Sequence, residues 1–126
     1  MRFMMIVKAS PDSEAGILPS AERVDAMRRF NEELVRAGVL LAAEGLHPSA
    51  KGTRIRFSAG TRTVIDGPFT ESAELVVGFW LIQAKSKAEA LEWGFRCPPP
   101  FGADRDGEIE IREVLEGGAA RLALID

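Results

Sequence analysis

Apolar residues recur along this chain with two different periods, and the switches between them lay out the elements. Phe3 to Lys8 ("FMMIVK") is a continuous apolar run ending in one charge, which predicts a strand buried on both faces. The turn-rich "ASPDSEAG" after it predicts a loop. From Ser20, a candidate N-cap, Val24, Met27, Phe30, Asn31 and Leu34 recur every three or four residues. Arg28, Arg29, Glu32, Glu33 and Arg36 fill the gaps, so an amphipathic helix is expected, stopped by Gly38. "VLLAAEGL" then reads as a second strand.

Polar and apolar residues alternate through "TRIRFSAGTRTVIDG" on either side of Ala59-Gly60, the pattern of a hairpin. "ELVVGFWLI" is the most apolar segment and predicts another strand. Ser86-Lys87-Ala88-Glu89 is a capping box opening a second helix, with Ala88, Leu91 and Phe95 on one face, and Pro98-Pro99-Pro100 forbids its continuation. "GEIEIREV" alternates as a last strand, with Ile109 and Ile111 on one face. The tail beyond it, "GGAARLALID", is compatible with pairing, packing or fraying.

The resulting order is strand, helix, strand, hairpin, strand, helix, strand. Two βαβ-like halves predict an α+β sandwich of ferredoxin-like type with an inserted β-hairpin. Two helices cover one sheet face, but Val76, Val77, Phe79, Trp80, Leu81 and Ile82 are nearly consecutive and apolar, so a comparable set must point the other way. Five such side chains left wet would forgo about 8 to 15 kcal/mol, as much as a typical domain's whole stability of about 5 to 15 kcal/mol. A second copy packing its sheet on this face, to give a homodimer, is the expected solution, and the tail folding over it is the competing one.

Composition narrows the partners. The 126 residues fit one domain, residues 1–126, with a tail from about 115. With 16 basic against 19 acidic residues there is no footprint for a polyanion, so neither nucleic acid nor an anionic membrane is an expected partner. Arg54, Arg56 and Arg62 on the hairpin read as a solvated strand surface. The lone Cys97 cannot form an internal disulfide, and the first residues hold too short an apolar core for a signal peptide or membrane span. A cytoplasmic location is expected.

The stretch "DGPFTES" (Asp66 to Ser72), with "GFWLIQAKSKAEALEW" after it, "LVRAGVLLAAEGLHP" before it and "RCP" following, resembles the YCII-related family in its DGPF branch. The resemblance covers residues 3–114. It implies a ferredoxin-like domain that dimerises through its sheets into an α/β barrel, and an association with alternative sigma factors. Ala73 stands where the branch usually carries Lys, and Val77 where it usually carries Gly. The family's proposed His and Asp pair, in a cleft beside the first helix, falls on Met27 and Cys97, which cannot act as an acid/base couple. The resemblance thus carries over a cleft and not a mechanism.

Three residues are the candidates for acid/base chemistry. His47 is the only histidine, and Asp66 and Glu71 are carboxylates of the motif loop, where burial or mutual repulsion could raise a pKa. The structural alternative is that Asp66, Gly67 and Pro68 simply build a turn, with Phe69 plugging the core edge. Met27, Trp80 and Cys97 are candidates for lining a ligand pocket. Neither a cofactor nor a metal is expected, because phosphate-binding glycine loops and clustered metal ligands are both missing from the sequence. Two functional classes follow: a ligand-binding or regulatory module for a small apolar or aromatic molecule, and a cofactor-independent isomerase, lyase or oxygenase. They part on whether His47 and the Asp66 loop converge in one pocket.

Overall fold

The computed structural model describes residues 1–70 and 74–116. Six strands are β1 (Arg2–Lys8), β2 (Leu40–Gly45), β3 (Thr53–Ser58), β4 (Thr61–Asp66), β5 (Val76–Gln83) and β6 (Ile109–Glu113). The helices are α1 (Pro11–Glu14), α2 (Ala21–Arg36) and α3 (Lys87–Arg96). Four strands form one antiparallel sheet in the order β2-β5-β1-β6, and β3 and β4 form a separate hairpin. Each of α2 and α3 links two strands that run parallel with a third between them, the interleaved connection of a ferredoxin-like α+β sandwich. The hairpin is inserted between β2 and β5.

Strand alternation sets the core. On β1, Phe3, Met5 and Val7 are buried while Met4 and Ile6 are half-buried, and on β5 Trp80 and Ile82 are buried while Phe79 and Leu81 are half-buried. The expectation of a β1 buried on both faces is therefore corrected for one chain: helices cover one side only. Phe30 and Leu34 of α2 and Ala90 and Trp93 of α3 complete the core, with Ile109 and Ile111 of β6 packed against it. Phe30 meets Trp80 edge to face with ring centroids 5.3 Å apart.

The helix ends follow their caps. Ser20 Oγ accepts from Arg23 N–H, and Gly38, at φ 71°, takes the left-handed conformation that ends α2. At α3, Ser86 Oγ accepts from Glu89 N–H, while the Glu89 carboxylate accepts from the N–H of Lys85, one residue earlier than a reciprocal box would have it. The face of α3 also differs from the expected one. Phe95 is 88% exposed, and Ala90 and Trp93 point inward instead. Ala90 and Trp93 pack into the core cluster, and Gly94 beside them lets α3 approach β6, where an added Cβ would lie 2.8 Å from Ile111 Cδ1. A further difference lies in "ASPDSEAG": Ser10 and Ser13 cap each other reciprocally and turn Pro11–Glu14 into one helical turn. Among the described residues no helix is long and apolar enough to cross a membrane.

Candidate functional site

At the end of the sheet where β1 and β2 finish and β5 begins, α2 stands off far enough to leave a cavity of about 500 Å³. Its floor is Val7, Ala43, Gly78 and Trp80, and its helix wall is Arg23, Met27 and Asn31. Gly16 to Pro19 after α1 close one side, Pro100 and Phe101 another, and His47 with Pro48 the mouth beyond β2. Gly78 permits this crowding of strand ends, since a Cβ there would sit 2.8 Å from the Glu44 carbonyl oxygen.

Polar side chains are a minority of the lining, and several are held in place. Trp80 Nε1–H donates to Asn31 Oδ1 at 2.7 Å, tying floor to helix. Asp12 is held by Arg105 at 2.5 Å. Arg23 Nη2–H donates to the Pro100 carbonyl oxygen, and its guanidinium carbon lies 5.5 Å from the Phe101 ring centroid. A mostly apolar recess of this size with a handful of placed donors is the usual form of a small-molecule site.

The candidates named from sequence are separated by the fold. His47, Met27 and Trp80 all line the cavity. Asp66 is exposed at the base of the hairpin, its Oδ1 accepting from Thr53 Oγ1–H at 3.3 Å, and is not a lining residue. Cys97 lies behind the wall against the core cluster, its thiol donating to the Pro98 carbonyl oxygen at 3.3 Å. Burial pushes the Cys97 thiol up to about 12, far from the range of a reactive thiolate. Glu71 lies outside the described residues. Among the described residues no group of three or more His, Cys, Asp or Glu side chains could hold a metal ion.

The Asp-Gly-Pro-Phe motif works through Ser49. A Cβ on Gly67 would fall 1.7 Å from the Ser49 carbonyl oxygen, so glycine is required by close approach of two backbones. Phe69 N–H donates to Ser49 Oγ at 2.9 Å, the Ser49 hydroxyl donates to Glu14 Oε2, and Ser49 N–H donates to Glu14 Oε1 at 3.0 Å. The motif thus braces α1, which leads into one side of the cavity. Phe69 is half-buried beneath the Arg54 guanidinium, 3.8 Å above its ring centroid, rather than at the core edge.

Arg23 and Asn31 are the residues that sequence reading missed as cavity groups. The signal was present in their spacing with Met27: 23, 27 and 31 fall on one stripe of a helix.

The family model of the YCII-related domain matches residues 1–117. An uncharacterized protein of Rhizobium meliloti (strain 1021) is 42% identical over 59 residues, 47% of this chain and 48% of that relative. The chain thus spans about half the length of the curated relative it matches.

Proposed function

This chain belongs to the YCII-related family, and we propose that it is a cytoplasmic homodimeric ligand-binding module. Its ligand is a small, largely apolar or aromatic molecule held between α2 and the sheet end. The observation that carries this reading is the cavity itself: Val7, Met27, Trp80 and Phe101 form its wall, and its one histidine has no Asp66 across from it. Of the two acids that do line the cavity, Asp12 is paired with Arg105 and Glu44 is exposed opposite Phe79, which favours binding over turnover. The regulatory setting, with a functional link to a sigma factor, follows the DGPF resemblance.

Homodimerisation is supported by the second sheet face. Met4, Ile6, Phe79 and Leu81 remain half-buried there, and completing the burial of each would recover part of the roughly 1.5 to 3 kcal/mol such a side chain contributes. A second copy offers the same apolar strip under two-fold symmetry. Light scattering at micromolar concentration should give twice the chain mass of 13.7 kDa, and a monomer would remove this part of the proposal.

Ligand binding is tested by a thermal-shift screen of small aromatic molecules. A ligand at 100 times its Kd should add about 2.7 kcal/mol, and a screen in which no such compound raises Tm would count against the module. One observation favours a second reading, a cofactor-independent acid/base enzyme: His47 stands in the cavity wall. Conversion of a bound compound, lost in His47→Ala with binding kept, would establish it.

A further inference from the structure

On the helix wall of the cavity the two polar side chains, Arg23 and Asn31, present donors. Asn31 uses its amide oxygen to accept from Trp80, so what it has left to offer is its NH₂. Arg23 is half-buried, donates through Nη2 to a backbone carbonyl, and has its Nε enclosed with no acceptor. Among the described residues no carboxylate forms an ion pair with Arg23. Of the two acidic residues in the wall, Asp12 is engaged by Arg105, and Glu44 is exposed and sits opposite Phe79 in the register of β2 and β5. A guanidinium taken partly out of water with no carboxylate in contact is costly unless something else supplies one.

We propose that the ligand of this cavity carries a carboxylate, and that Arg23 recognises it with the Asn31 amide as a second donor. The inference rests on the ligand-binding reading above and names the chemical class of that ligand. With one Nη2–H on Pro100 and Nε enclosed, Nη1 and the second Nη2–H are the donors left for a carboxylate, and such charge-assisted bonds are stronger than neutral ones. Met27, between the two donors on the α2 stripe, and Trp80 beneath them would pack the apolar body. A phosphate monoester fits less well, because its third terminal oxygen and second charge would face this apolar wall.

The test is an NMR titration of the full chain with benzoate, benzamide and phenyl phosphate, which share one ring and differ in the head group. Benzoate should bind at least roughly tenfold more tightly than benzamide. Arg23→Met should abolish that preference while benzamide binding persists, and Arg23→Lys should keep part of it. Equal binding of benzoate and benzamide, tightest binding of phenyl phosphate, or a preference that survives Arg23→Met would overturn the carboxylate inference and leave the ligand-binding reading standing. Binding by none of the three would overturn both. The comparison of probes on the wild-type chain decides the matter even where a variant fails to fold.

Discussion

Replacing Gly67 by alanine tests how the motif is built. The added methyl would fall 1.7 Å from the Ser49 carbonyl oxygen and 2.6 Å from its carbonyl carbon. To reach an ordinary contact the two backbones must separate by more than about 1 Å, and neither is a flexible side-chain end that can swing aside. Three hydrogen bonds depend on that approach: Gly67 N–H to Gly52 O at 3.0 Å, Phe69 N–H to Ser49 Oγ at 2.9 Å, and Ser49 N–H to Glu14 Oε1 at 3.0 Å. Overpacking costs typically about 1 to 3 kcal/mol, and with these bonds at stake the upper half of that range is expected. Amide hydrogen exchange at Gly67 and Phe69 should accelerate by roughly 30-fold to 150-fold. Gly45→Ala is the control, since a Cβ there meets nothing within 4 Å. Unchanged exchange in Gly67→Ala, or equal acceleration at these amides in both variants, would refute the reasoning.

Other consequences are sharper in the core. Leu34 is fully buried between α2 and the sheet, so Leu34→Ala should cost about 2 to 5 kcal/mol by urea unfolding, whereas Leu18→Ala at an 86% exposed position should stay within about 0.5 kcal/mol. Cys97 gives a pH dependence. Its folded pKa of about 12 lies above the ordinary value of 9.0, so above pH 9 the unfolded chain releases a proton that the folded chain keeps, and stability falls as pH rises toward 12. Alkaline unfolding curves of wild type and Cys97→Ala should converge as pH rises from 9 toward 12, and a constant offset would count against burial as the cause.

Much of this fold was legible because local chemistry and packing agree. Ser20, Gly38, the Ala59-Gly60 turn and the proline run each punctuate the chain where the structure does, with Ala59 at φ 49° and Gly60 at φ 79°. The misreadings come from long-range contacts. Phe95 shares a helical face with Ala88 and Leu91 by spacing, yet it is Ala90 and Trp93 that pack into the core, with Gly94 close to Ile111. Gly67 looked like a turn glycine, while its neighbour is Ser49, far back in the sequence. The site was less legible still. His47, Met27 and Trp80 come together, but Asp66 and Cys97 lie elsewhere. Nothing local in the sequence links Arg23 to Pro100 and Phe101, which pack against it from beyond α3 and make it a wall residue.

The claim that the cavity binds a small aromatic molecule has an internal reporter in the chain's two tryptophans. Trp80 forms the cavity floor, and Trp93 lies on α3 under Arg96, outside the lining. In NMR spectra recorded as benzoate and benzamide are added, the Trp80 indole N–H signal should shift and saturate while that of Trp93 stays in place. An unmoved Trp80 signal, or two signals drifting together without saturation, would contradict the account.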